Sequence, residues 1–278
     1  MCYNPNMYKL IATDLDGTLL NDSGELPEVN KHYIHKIMKS GIHVALCSGR
    51  SYVSLAKFEK ILGLNRPGCY GICFNGGIVY DAFNKEIISD IRMSRCLALE
   101  LVNEIKRTIR NLELGLVLYS GVDLYVERVT EIVSSYANKS EIPLTTINSF
   151  NEISQDITKL LIRGENPLLR EVYEKMHEAV AGKCRMYFTA ENLLEFIPLN
   201  SGKARGLQIL AEKLNIPINE TIAVGDQVND IDMIKAAGLG IAVANAVVEV
   251  KKAAGYITRA DNNSGVIKEI AQHFIGVL

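Results

Sequence analysis

The chain lacks several features, and each absence removes a class of protein. No apolar run approaches the roughly 20 residues that a membrane-spanning helix needs. The longest, such as residues 112–119, are strand-length and interrupted. The start, Met1-Cys2-Tyr3-Asn4-Pro5-Asn6, has neither the charged segment nor the apolar core of an export signal, so a cytoplasmic protein with no membrane partner is expected. No charge sign dominates: 30 Lys+Arg stand against 32 Asp+Glu, a net −2, which argues against nucleic acid or anionic lipid as a partner. The six cysteines, Cys2, Cys47, Cys69, Cys73, Cys96 and Cys184, form no Cys-x-x-Cys pair, and the five histidines show no ligand spacing. A structural zinc site is therefore not expected. The thiols read as small hydrophobes, Cys47 and Cys73 most plainly because they sit in apolar runs. No Gly-x-Gly-x-x-Gly follows a strand, and Gly202-Lys203 runs into Ala204 without a Walker pattern. Dinucleotide oxidoreductases and P-loop ATPases lose their main support. The tyrosines are scattered as packing residues are, with no base-stacking platform.

What is present is strand–helix alternation. With 278 residues, 48% apolar and 22% charged, the chain calls for two domains, or one with a large insertion. Residues 8–13 read as a strand running into Asp14-Leu15-Asp16-Gly17. Pro27 opens a helix with Val29, Tyr33, Ile34, Ile37 and Met38 on one face, stopped by Gly41. Residues 42–47 form a second strand ending at Ser48-Gly49-Arg50. A second helix carries Val53, Ala56, Phe58 and Leu62, and a third strand at 71–74 ends at Asn75-Gly76-Gly77. The same grammar returns with a helix at 203–214, a strand at 221–224 ending at Gly225-Asp226, a helix at 229–237, short strands at 240–243 and 256–258, and a closing helix at 266–274. Such apolar strands fit a parallel sheet covered on both faces. The expected fold class is α/β, a doubly wound, Rossmann-like parallel sheet. Between 83 and 198 the alternation breaks into helices and hairpins, beginning with a strand at 85–89. A catalytic core of residues 1–82 and 199–278, with an α+β cap inserted at 83–198, is the expected organisation.

Four polar clusters sit where strands end: Asp14-x-Asp16, Ser48-Gly49-Arg50, Asn75-Gly76 and Gly225-Asp226-x-x-Asn229-Asp230. In an open α/β sheet, ligands bind beyond the carboxyl ends of the strands, and in a parallel sheet those ends share one rim. Carboxylates gathered there repel unless a cation sits among them, and an oxygen-rich set suits magnesium. Asp14 and Asp16, two apart on an extended chain, project to one side: one can attack while the other handles protons. Gly17 lets the chain turn away behind them. Arg50 reads equally as a phosphate contact or as a structural pair at a helix start.

In order, Asp14-Leu15-Asp16-Gly17-Thr18-Leu19, Ser48-Gly49-Arg50, Lys203 and Gly225-Asp226-Gln227-Val228-Asn229-Asp230 resemble the haloacid dehalogenase (HAD) superfamily of phosphohydrolases. The insertion between the second and third motifs resembles the Cof-type subfamily with its IIB cap. The resemblance covers the chain after about Tyr8. It implies Asp14 as a nucleophile that forms an aspartyl-phosphate and Asp16 as general acid/base. Ser48 and the Gly49 N–H would hold the phosphoryl group, and Lys203 would neutralise charge. Magnesium would be bound by Asp14, the Asp16 backbone carbonyl and Asp226, with Asp230 at or beside it. Asn229 would orient Asp230 or the lysine near the phosphate, and Asn75-Gly76 matches a turn beside the phosphate. Arg50, Asn75 and Gly76 are candidates for substrate contact. Two departures stand out: Ser48 replaces the commoner threonine, and Ser201-Gly202-Lys203-Ala204 replaces the usual Ser-Lys-Gly order, although Lys203 keeps its place five residues after Pro198.

The expected activity is magnesium-dependent hydrolysis of small phosphorylated metabolites, sugar phosphates first, with the cap choosing the substrate. Two other functions fit the same residues. One is a phosphotransferase or phosphomutase that passes the phosphoryl group to a sugar. The other is a catalytically silent regulator that binds a phosphometabolite, against which the intact Asp14 and Asp16 weigh.

Overall fold

The computed structural model describes residues 7–110, 113–140 and 142–277. Residues 1–6, Cys2 and the region read for an export signal among them, and the first residue of the 112–119 run lie outside these. The elements in chain order are β1 Leu10–Thr13, α1 Glu28–Lys39, β2 His43–Cys47, α2 Tyr52–Leu62, β3 Cys69–Cys73, β4 Ile78–Asp81 and β5 Ile87–Asp90. Next come α3 Arg95–Thr108, β6 Gly115–Ser120, β7 Asp123–Val126, α4 Glu131–Ser140, β8 Leu144–Thr146, β9 Lys159–Arg163, α5 Asn166–Val180, β10 Cys184–Ala190 and β11 Leu193–Pro198. The chain then forms α6 Lys203–Lys213, β12 Thr221–Gly225, α7 Ile231–Ala236, β13 Leu239–Ala242, α8 Val248–Ala253, β14 Tyr256–Ile257 and α9 Val266–Ile270. Two compact units emerge: one holds residues up to Gly49, Leu55–Asp90 and everything from Gly202, the other Arg50–Ser54 and Ile91–Ser201.

The first unit is built on an eight-stranded sheet in the order β14-β13-β12-β1-β2-β3-β4-β5. The strands from β14 to β3 are parallel; β4 and β5 then add antiparallel. The strand expected at 85–89 is thus the edge of this sheet, next to β4, which apolar patterning does not separate from the turn before it. Alternation along the strands directs Leu10, Ala12, Ala45, Cys47 and Ile72 into one core with Leu207 and Leu210 of α6 and Met233 of α7. Ile11, Val44 and Leu46 point the other way and are also buried, as a sheet covered on both faces requires.

α1 follows its expected face only in part. Tyr33, Ile34 and Ile37 are buried, but the fourth buried residue is Asn30, whose Oδ1 accepts from the backbone N–H of Ile267 at 3.0 Å. That N–H lies in the first turn of α9, where no intrahelical partner exists. α2 departs further: Leu55, Glu59 and Leu62 are buried, whereas Val53, Ala56 and Phe58 are half-buried. A carboxylate on the inward face is what patterning by polarity misses. Tyr80 Oη donates to Glu59 Oε1 at 2.5 Å, and Lys85 Nζ lies 3.5 Å from Oε2. The Tyr80 ring fills the space where a Cβ at residue 71 would stand, 2.2 Å away, so β3 needs Gly71 there.

The second unit carries a six-stranded sheet in the order β10-β11-β9-β6-β7-β8, antiparallel except for the β7–β8 pair. Leu101, Val102 and Ile105 of α3 and Leu169, Val172 and Met176 of α5 pack with Leu118, Leu160, Ile162, Leu194 and Phe196. The opposite face holds a buried ion pair, Lys159 to Glu195 at 2.6 Å. Cys47, Cys69, Cys73 and Cys184 are free and buried, but Cys96 is exposed. Among the described residues, no helix is long and apolar enough to cross a membrane.

Burial, more than any partner, raises the Glu59 pKa above its ordinary 4.5, with Tyr80 and Lys85 pulling it back. The native state therefore keeps this proton to a higher pH than the unfolded chain does, and the Glu59 contribution to stability falls as pH rises above about 4.5. Glu59→Gln is expected to flatten that part of the curve. Urea midpoints of both proteins across the range test it, and parallel curves would count against it.

Candidate active site

The site grows from three parallel strands that end together. Ladder bonding carries Asp14 one step past β1, its N–H donating to Val224 O at 2.9 Å, and Ser48 one step past β2, its N–H donating to Ile72 O at 2.8 Å. Asp14 is 7% exposed and Ser48 2%. After Asp14 the chain folds back, with Leu19 and Leu20 N–H groups both donating to Leu15 O. This turn leaves Asp16 exposed and puts Gly17 at φ +78°, a region that favours glycine. A Cβ on Gly17 would lie 2.7 Å from Asp226 Oδ2, so the turn and Asp226 are in direct contact.

Lys203 opens α6 and is 1% exposed. Its Nζ donates to Asp14 Oδ1 and to Asp230 Oδ1, both at 2.5 Å. Asp230 is fully buried, and its other oxygen, Oδ2, accepts from the N–H groups of Asp226 and Gln227, each at 3.0 Å. Thr18 Oγ1 donates to Asp226 Oδ1 at 2.6 Å. Asp14, Asp226 and Asp230 each offer an oxygen within 4.8 Å of the others.

Asn75 ties a second corner. Phe74, Asn75 and Gly76 have successive φ values of +51°, +54° and +86°, which turns the chain sharply after β3. The Asn75 N–H donates to Ser48 O at 3.0 Å, its Oδ1 accepts from Asn229 Nδ2 at 3.1 Å, and a Cβ on Gly49 would sit 3.0 Å from its Nδ2. At Gly76 a Cβ would stand 2.0 Å from Gly202 O, so this turn backs the start of α6. Ser48, Gly49, Asn75, Gly76 and Asn229 are thus one connected group. Arg50 is half-buried, its Nη1 3.4 Å from Ser54 Oγ, and it groups with the second unit. Thr18 is the residue to which patterning assigns no task. Its signal was its place in Asp14-x-Asp16-Gly17-Thr18, directly after the forced turn.

The electrostatics are unbalanced. Burial pushes the Asp14 carboxyl well above the ordinary carboxylate range; Lys203 pulls it back, and Asp230, Asp226 and Asp16 add repulsion. Burial also carries Asp226 up to about 6, against the Thr18 hydrogen bond. For Lys203 burial opposes the charge, but Asp14 and Asp230 outweigh it and keep the ammonium well above its usual range. With all three ionised, three carboxylates around one ammonium would leave two negative charges unmatched. The buried Cys47 thiol is pushed well up by burial, which disqualifies it as a nucleophile.

The chain is similar to known proteins over nearly its whole length. The sequence profile of the haloacid dehalogenase-like hydrolases matches residues 11–270. YxeH of Bacillus subtilis is 30% identical over 268 residues, covering 95% of this chain and 97% of its own. YitU of the same organism, a 5-amino-6-(5-phospho-D-ribitylamino)uracil phosphatase, is 28% identical over 95% of this chain and 97% of its own. A haloacid dehalogenase-like hydrolase from Bacteroides thetaiotaomicron superposes with a TM-score of 0.83 at 31% identity, covering 96% of this chain and all, 100%, of that one.

Removing one partner of a buried ion pair typically costs about 3–5 kcal/mol. Lys203→Met is expected to lose about that much stability, because Asp14 and Asp230 lose their shared cation. Asp14→Asn removes part of the repulsion and is expected to be at least as stable as wild type. Urea unfolding in the presence of a chelator measures both. A Lys203→Met protein as stable as wild type would show that the pairing carries no weight.

Proposed function

The chain belongs to the haloacid dehalogenase-like hydrolase family and is a phosphatase; we propose that it hydrolyses small phosphorylated metabolites, sugar phosphates first, with magnesium and through an aspartyl-phosphate on Asp14. The observation that carries this is the Lys203 ammonium shared between Asp14 and Asp230, with Asp226 beside them. The donor set fits a hard divalent cation: it is all oxygen, and its two unmatched negative charges sit on groups that burial makes reluctant to ionise. Asp14, Asp226 and the Asp16 carbonyl would hold it. Both Asp230 oxygens are engaged with Lys203 and with backbone N–H groups, so Asp230 aligns the lysine and shapes the Asp226 loop. Bound magnesium supplies positive charge against the phosphoryl oxygens.

The protein's own groups carry the steps. Lys203 donates to Asp14 Oδ1 alone, and an oxygen of the Asp14 carboxylate attacks phosphorus. As the Asp14–phosphorus bond forms, the bond to the substrate oxygen breaks, and Asp16, exposed and next to the turn, gives that oxygen its proton. Asp16, now ionised, takes a proton from water, and the water oxygen attacks phosphorus and releases Asp14 as carboxylate with inorganic phosphate. Splitting the displacement in two is what a carboxylate nucleophile contributes. Ser48 and the Gly49 N–H hold the phosphoryl oxygens, while Asn75, fully buried, bonds the Ser48 carbonyl and Asn229 and keeps that loop in place. YitU, a phosphatase of a phosphorylated ribityl chain, supports a small phosphorylated polyol or sugar as the substrate class. Substrate choice falls to the inserted unit, Ile91–Ser201 in the fold: Asp14, Lys203, Asp226 and Asp230 all belong to the other unit, so substitutions across the insertion should change substrate ranking more than turnover of a minimal aryl phosphate.

A chelator is expected to abolish phosphate release from an aryl phosphate, and magnesium to restore it; full turnover without metal would defeat the proposal. Asp14→Asn should be inactive. Asp16→Asn should accumulate a phosphorylated protein from an aryl phosphate and lose about 10²–10⁴-fold in turnover. Intact-mass spectrometry reads the intermediate. Adding a sugar acceptor tells hydrolysis from transfer, since a phosphatase releases phosphate to water in its presence.

A further inference from the structure

The loop after β13, residues 243–247, touches both carboxylate-bearing loops. Its Val243 N–H donates to Gly225 O at 3.3 Å and its Val247 N–H to Asp226 O at 3.0 Å. Between these, Asn245 Nδ2 donates to Gly17 O at 2.7 Å. Asn245 is exposed and belongs to none of the motifs above, yet it is itself anchored. Its Oδ1 accepts from the Asn262 N–H at 3.0 Å, and Asn262, 3% exposed, donates through Nδ2 to Leu20 O at 3.1 Å and to Asp22 Oδ1 at 2.9 Å. Asn263 completes the set, exchanging hydrogen bonds of 3.1 Å with the Asp22 N–H and carboxylate. The turn carrying Asp16 and Gly17 is therefore held from outside at both ends.

The hold has a direct line to the carboxylates. The carbonyl of Gly17 and the N–H of Thr18 share one peptide plane. Fixing that plane fixes Thr18, whose hydroxyl donates to Asp226 Oδ1, and fixes the Gly17 Cα against the Asp226 carboxylate. Ladder pairing between β1 and β12 ends with the Asp14 N–H bond to Val224 O. Beyond it the two loops carry like charges. We propose that Asn245, backed by Asn262, is a positioning residue that holds this turn against Asp226 and thereby sets the affinity of the site for its divalent cation. The proposal rests on the magnesium site described above.

Magnesium binding to the metal-free full-length protein, measured by calorimetry, tests it with Asn245→Ala, Asn245→Leu, Thr18→Val and the Ala/Val double variant. Loss of one hydrogen bond of this kind corresponds to about fivefold. Each Asn245 variant is expected to weaken magnesium binding about fivefold, with the metal-free melting temperature unchanged and kcat at saturating magnesium near wild type. The double variant is expected to be weakened by less than the product of its single effects, because Asn245 acts through Thr18. Unchanged magnesium affinity in both Asn245 variants, a loss that merely follows a lower metal-free melting temperature, or multiplicative single effects would each overturn the proposal. Wild-type protein that binds no divalent cation would instead overturn the magnesium site itself, and this proposal with it.

Discussion

One ammonium organises the site. Lys203 is the first residue of α6, where the helix dipole already presents positive charge and disfavours a lysine. Burial disfavours it again. It stays charged because Asp14, from the end of β1, and Asp230, from the loop after β12, both reach it. The dependence is mutual, since those carboxylates have no comparable buried partner in each other. Three segments distant in sequence are brought into register by one nitrogen. The second oxygen of Asp230 then ties down the Asp226 loop. The site is thus less a set of residues placed on a scaffold than a charge arrangement that closes the scaffold's rim.

The Asn75 turn shows what that closure costs. Two non-glycine residues in a row adopt the left-handed region, at about 1–3 kcal/mol each in the general case. The strain persists because the turn is over-determined: it bonds the Ser48 carbonyl, accepts from Asn229 and leaves no room for a side chain at Gly76. Asparagine tolerates this conformation better than most residues. Local rules are broken here at the functional rim, which is where folded proteins commonly break them.

Much of this was legible in the sequence, for a physical reason. Parallel strands buried on both faces are largely apolar, so their carboxyl ends are marked by the polar clusters that follow, and Asp14, Ser48, Asn75 and Asp226 stand in those clusters. What was not legible is polar chemistry inside. Glu59 on α2 and Asn30 on α1 face inward because distant partners, Tyr80 and the Ile267 N–H, satisfy them, and no periodicity registers a partner. β4 escaped for a different reason: it follows the left-handed turn at once, so its apolar residues merge with those of β3. Asn245 and Asn262 look like ordinary loop residues, and only the fold brings the one to Gly17 and the other to Leu20 and Asp22.

The pairing of β1 has a consequence for how the chain is made. One neighbour, β2, follows it closely, but the other is β12, with Leu10 aligned to Thr221. During synthesis β1, β2 and β3 can associate early, yet β1 keeps one edge of backbone donors and acceptors open while the whole insertion is translated. At ordinary elongation rates of about 5–20 residues per second that exposure lasts on the order of ten seconds or more. An apolar strand with a bare edge is a template for pairing with other chains. The bare edge of β1 therefore stays open to pairing with other chains until β12 is made. The second unit, whose sheet is contiguous in sequence from β6 to β11, can finish its own sheet before the first unit does.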